Sequence, residues 1–119
     1  MRLRRTIRVF YPPLDDAEDP VLEPNTTYSA QLAPAEQANL RIQPPSDGTY
    51  TFQTIGKADT VMVLFDASVD PLVSIAADDD SGIDSNAQFQ VALQAGKEYI
   101  LRVRLYYTED SARFGVQYF

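Results

Sequence analysis

Residues 88–105 read QFQVALQAGKEYILRVRL. Two runs in this stretch alternate apolar with polar side chains. In the first, Phe89, Val91 and Leu93 stand against Gln88, Gln90 and Ala92. In the second, Tyr99, Leu101, Val103 and Leu105 stand against Arg102 and Arg104, with Ile100 as the apolar interruption. Successive side chains of a strand point to opposite faces, so a period of two marks a strand with one face buried and one wet. Ala95-Gly96-Lys97 between the runs is turn chemistry. The stretch predicts two strands joined through a turn.

The same period extends outward along the chain. Leu40 and Ile42 alternate with Asn39 and Arg41, and Tyr50 and Phe52 with Thr51 and Gln53. Phe114, Val116 and Tyr118 alternate with Arg113, Gly115 and Gln117. The run TVMVLF (60–65) is apolar on both faces. It predicts a central strand covered on both sides, or one whose outer face is used. Turn residues separate the runs at Pro44–Gly48, Ile55–Lys57, Ala67–Pro71 and Ser81-Gly82. The one helical candidate, Pro34–Ala38, is short enough to be only a turn. The fold expected is all-β, an antiparallel β-sandwich of jelly-roll type with about eight or nine strands.

Composition narrows the function. The chain has 119 residues, the size of one domain, with 45% hydrophobic and 23% charged residues. No apolar run is long enough to span a membrane as a helix. The net charge of −7 argues against nucleic-acid binding, which needs a basic surface. It suits a cation or a basic partner. With no Cys and no His, Cys/His zinc sites and His-dependent nucleophile systems are excluded. Carboxylate, Lys, Tyr or Ser chemistry is left, or none.

Residues 1–25 read as a basic first strand or arm followed by a Pro-rich acidic linker, and residues 26–119 as the sandwich. Arg2, Arg4, Arg5 and Arg8 precede Asp15, Asp16, Glu18, Asp19 and Glu23. No apolar signal-peptide core follows the arginines, so a cytoplasmic location stays open. Leu3, Ile7, Val9 and Tyr11 suit a strand. Self-association through residues 1–11, by addition to a neighbouring chain's sheet edge, would make this a structural or assembly protein.

Residues 76–87, AADDDSGIDSNA, concentrate Asp78, Asp79, Asp80 and Asp84 in one short connection. Carboxylates held close repel, and solvation, protonation or a shared cation relieves them. Calcium takes roughly 6–8 hard oxygen ligands. The carboxylates, the Ser81 and Ser85 hydroxyls, the Asn86 amide and the backbone carbonyls supply that class, and Gly82 permits a sharp turn. The pattern is not an EF-hand: counted from Asp78, Gly82, Ile83 and Phe89 occupy the third ligand, turn-glycine and closing-glutamate positions. The alternative is a solvated acidic turn. As candidate ligands Asp78, Asp80 and Asp84 lead, followed by Asp79 and Asn86. A glycosidase pair such as Asp78 and Asp84 would lack the apolar pocket that raises a general acid's pKa, so no enzyme is expected.

At the end of the Arg102/Arg104 strand, alternation directs Tyr107 inward and Tyr106 outward beside the two arginines. Tyr106, Arg102 and Arg104 form a candidate ligand-binding surface. The alternative is a tyrosine that covers the sheet while the arginines pair with nearby acids. Lys57 and Lys97 fall in turns and read as solvated.

Four motifs in order carry a resemblance: GTYTFQTIG (48–56), DTVMVLFD (59–66), AADDDSGIDSN (76–86) and LQAGKEYILRV (93–103). Together they resemble the bacterial pre-peptidase C-terminal domain, over about residues 26–119. The resemblance implies a non-catalytic β-sandwich of the kind appended to secreted peptidases and other exported hydrolases. It further implies an extracellular or cell-surface location and a protein or polysaccharide surface as partner. By analogy with the related collagen-binding domains of bacterial collagenases, it implies a Ca²⁺ site. Asp78, Asp79 and Asp80 match the family's acidic loop, and Asp59 matches the aspartate that opens the earlier strand. Ile83-Asp84 stand where family members often carry glycines. The basic arm and acidic linker match no part of the family pattern.

Overall fold

A computed structural model describes residues 19–79 and 86–119, and among them forms eight strands and no helix. These are β1 Tyr28–Leu32, β2 Gln37–Ile42, β3 Gly48–Ile55, β4 Thr60–Asp66, β5 Val73–Asp78, β6 Gln88–Leu93, β7 Tyr99–Leu105 and β8 Ala112–Tyr118. They pair antiparallel in two four-stranded sheets, β1-β8-β3-β6 and β2-β7-β4-β5. This interleaving of the chain between two sheets is the jelly-roll order. The segment Pro34–Ala38 is a turn that runs into β2 at Gln37.

Alternation decides which residues meet between the sheets. Leu40, Ile42, Met62, Leu64, Leu101 and Val103 from one sheet are buried against Phe52, Leu93, Phe114, Val116 and Tyr118 from the other. The Phe52 ring stacks on Tyr118 at 4.9 Å and lies 5.3 Å from Phe89. Burial pushes the Tyr118 hydroxyl up to about 12, so the aromatic cluster carries no charge at neutral pH.

The two-faced run in β4 is central, lying between β7 and β5. Its outward Val61, Val63 and Phe65 are half-buried, and the Arg102 guanidinium lies over the Phe65 ring at 5.2 Å. Ile100 does not break the register of β7. It sits on the outer face, flanked in register by Arg41 and Phe65, and is buried there. The outer edge of β2 is taken by the chain ahead of β1: Leu22 N–H donates to Arg41 O at 2.9 Å and Arg41 N–H to Pro20 O at 2.8 Å. Leu22 itself enters the core. The arginine-rich arm, residues 1–11, lies outside the described residues.

Lys97 differs from its solvated expectation. Its ammonium pairs with the Asp66 carboxylate at 2.9 Å across the turns that follow β4 and β6. Asp66 also accepts the Ser68 hydroxyl and, at 2.9 Å, the Ser68 N–H. The Ser68 hydroxyl and Lys97 hold the Asp66 carboxyl down, from 3.8 to about 2. A carboxyl whose folded pKa is depressed stabilises the fold fully above its unfolded value and loses that contribution as pH falls through the folded one. At pH 6, Asp66→Asn should cost roughly 1–2 kcal/mol, given that the site is partly solvated. Urea midpoints of the two proteins should converge as pH falls from about 4 to about 2.

Candidate functional site

Every described carboxylate lies in a turn, in a connection, or at the last residue of a strand, as with Asp66 and Asp78. The outward sheet positions carry none. The register brings four connections to one end of the sandwich: Leu32 to Gln37, Ile55 to Thr60, Asp78 to Gln88 and Leu105 to Ala112. Glu36, Asp59, Asp78, Asp79, Glu109 and Asp110 therefore gather at that end, and Tyr106 and Tyr107 with them.

The base of the acidic connection is built. On one side, Asp78 Oδ2 accepts the Gln88 N–H at 2.9 Å. On the other, the buried Asn86 amide donates to Gly56 O at 3.0 Å, and its Oδ1 accepts the Thr54 hydroxyl at 3.4 Å. Thr54 Oγ1 in turn accepts the Ala87 N–H at 2.9 Å and lies 2.6 Å from the Thr60 hydroxyl. Thr54 comes from one sheet and Thr60 from the other. The buried polar groups satisfy one another, as burial demands.

Of the six candidate ligands, Asp78 and Asn86 thus both lie at the loop base, each held by different partners, and Asn86 serves there by hydrogen bonding. Asp79 is exposed at the lip. Asp59 is half-buried and joins through its carbonyl, which accepts the Tyr106 N–H at 2.8 Å. Asp80 and Asp84 lie outside the described residues. Among the described residues no three acidic, His or Cys side chains group as a metal site. Sequence reasoning missed Thr54 and Thr60. Their signal was a hydroxyl in the inward register of an otherwise apolar strand.

The expectation that Tyr107 points inward is overturned. The strand ends at Leu105, and the chain then turns, with Asp110 N–H donating to Tyr107 O at 3.1 Å. Once the pleat is lost, alternation no longer dictates direction. Tyr106 and Tyr107 are 49% and 52% exposed, and their rings meet edge to face at 4.9 Å and 82°. Arg102 donates from Nε to Asn39 Oδ1 at 3.0 Å and stays on the middle of the outer face over Phe65. Arg104 lies nearer the tyrosines, donating to Leu105 O at 3.1 Å.

No protein-family model matches the sequence, and no curated protein is similar to it at a significant level. Solved structures are similar in fold. The pre-peptidase C-terminal domain of collagenase from Bacillus anthracis superposes with a TM-score of 0.70 at 14% identity, covering 85% of this chain and 94% of that one. The chain has the fold of a pre-peptidase C-terminal domain. A periplasmic inhibitor of g-type lysozyme from Aeromonas hydrophila, PliG, gives 0.60 at 15% identity over 84% of this chain and 90% of that one. The Yersinia pseudotuberculosis-derived mitogen gives 0.59 at 14% identity over 79% and 84%.

Proposed function

We propose that this pre-peptidase C-terminal-like chain is a non-catalytic, exported module that binds a basic protein surface through the end carrying Tyr106 and Tyr107. The observation that carries the reading is the tyrosine pair itself. Two exposed aromatic rings are braced edge to face, and the backbone beneath them is tied to Asp59. Rigid, exposed aromatics are the usual anchors of protein interfaces. The surrounding carboxylates would steer a cationic partner and disfavour an acidic one. The periplasmic setting and protein target named for the PliG neighbour support an exported, protein-binding role, as does the collagenase setting of the Bacillus anthracis neighbour.

The test uses the two partner classes those neighbours suggest, g-type lysozyme and triple-helical collagen, as immobilised probes. One of them should retain the protein, and Tyr106→Ala/Tyr107→Ala should weaken retention about tenfold or more, with little change in melting midpoint since both rings are exposed. Retention on neither probe, or equal retention of the variant, counts against the reading.

Calcium belongs to the same proposal as the ion that neutralises the acidic connection. The donor chemistry fits: Asp78 at its base and Asp79 at its lip are hard oxygen donors, and Asp80 and Asp84 continue the series. Asn86 would position the loop from below. A cation at ~100 times its Kd should stabilise the fold by roughly 2.7 kcal/mol, a rise in Tm of about 10 °C for a domain of this size. The rise should be selective for Ca²⁺ over Mg²⁺, reversed by EDTA and absent in Asp80→Ala. No shift would leave a solvated acidic turn.

A further inference from the structure

The outer face of the sheet β1-β8-β3-β6 differs from the rest of the surface. In a chain of net charge −7, it carries no carboxylate and a single charge, Arg113. A hydrogen-bonded row of side chains crosses it at right angles to the strands. Gln88 donates from Nε2 to Gln53 Oε1 at 3.3 Å, Gln53 to Gln117 Oε1 at 2.6 Å, and Gln117 to Thr27 Oγ1 at 3.0 Å. The side chains line up because Gln53 stands in register with both Gln88 and Gln117. Gly115 keeps the far end of the row flat: a Cβ there would come within 2.8 Å of the Thr27 methyl. A second row lies alongside. Gln90 donates to Thr51 Oγ1 at 3.3 Å, and Thr51 is bound by two backbone hydrogen bonds to Phe119, whose ring is 47% exposed.

An amide offers two N–H donors and two acceptor positions on its oxygen. The row uses one donor and one acceptor of Gln53 and of Gln117. Each amide keeps one of each for a ligand, and the pairs repeat at the strand spacing of ~4.8 Å. Hydroxyl groups are donors and acceptors at once, and an extended chain of sugars repeats them at a comparable spacing. The single charge, Arg113, pairs in register with Gln31 at one end of the face, away from the glutamine row, so the row itself offers no charge to an ionic ligand. A folded protein partner calls for an apolar centre. Here the exposed apolar residues, Ile55 and Phe119, stand on opposite sides of the glutamine row, which keeps them from forming one apolar centre.

We propose that this face binds a neutral, extended polysaccharide laid across the four strands, with the Gln53 and Gln117 amides meeting its hydroxyls and Phe119 flanking a sugar ring. The site is distinct from the tyrosine end, so either can fail alone. Microcrystalline cellulose and chitin are the probes. Retention should survive about 1 M NaCl, since it does not rest on screened charge. Gln53→Ala/Gln117→Ala should lose about tenfold in affinity, and Phe119→Ala, which changes only an exposed side chain, should weaken binding even if the double variant proves too unstable to assay. Tyr106→Ala/Tyr107→Ala should bind as the parent does. No retention on either polysaccharide, retention abolished by salt, or equal retention of Phe119→Ala and the parent would overturn the proposal.

Discussion

Two threonine hydroxyls, 2.6 Å apart, join the sheets where the acidic connection leaves the core. Neither can reach water, so each needs a partner. Thr54 finds three: the Thr60 hydroxyl, the Ala87 N–H and the Asn86 amide oxygen. That one cluster fixes how closely β3 approaches β4 and where the chain must enter β6. The Asn86 amide then reaches the Gly56 carbonyl and ties in the preceding connection. Hydrophobic packing brings the sheets together, but it is non-directional and would tolerate small shifts. The polar cluster is what singles out one arrangement at that end.

The arrangement separates surfaces by chemistry. Strand alternation leaves uncharged or cationic residues on the outer faces and pushes carboxylates into turns and strand ends. One end becomes acidic and carries two braced tyrosines. One face carries a row of amides and a single charge, Arg113, while the other holds Arg102 against Phe65 and Asn39. A sandwich with a rigid interior can present each of these surfaces separately, because the side chains that build them do not share a core position.

Six of the eight strands, all but β1 and β5, were legible with their inward residues because the period of two is enforced by burial, residue by residue. The TVMVLF run was readable as central for the same reason. Direction was lost where the pleat ended, which is why Tyr107 was misread: no periodicity constrains a residue beyond Leu105. Lys97 was misread because its partner, Asp66, lies far along the chain and meets it only through the sheet pairing. The glutamine row was invisible for a related reason, since each member looked like an ordinary solvent-facing residue until register aligned them. Thr54 and Thr60 did leave a trace, as hydroxyls in apolar register, but one sequence could not show that the two traces meet.

The claim that this hydroxyl pair orders the end of the sandwich is open to a double-mutant cycle with Thr54→Val and Thr60→Val, read from urea denaturation. Thr54→Val strands the Thr60 hydroxyl and the Ala87 N–H in a dry site, and Thr60→Val takes one of three partners from Thr54, so each should be costly. The double variant should cost less than the sum of the singles by about 1 kcal/mol or more, the coupling of residues in one buried network. Additive costs would mean that the two hydroxyls act independently, and that packing alone holds the sheets in register at the acidic end.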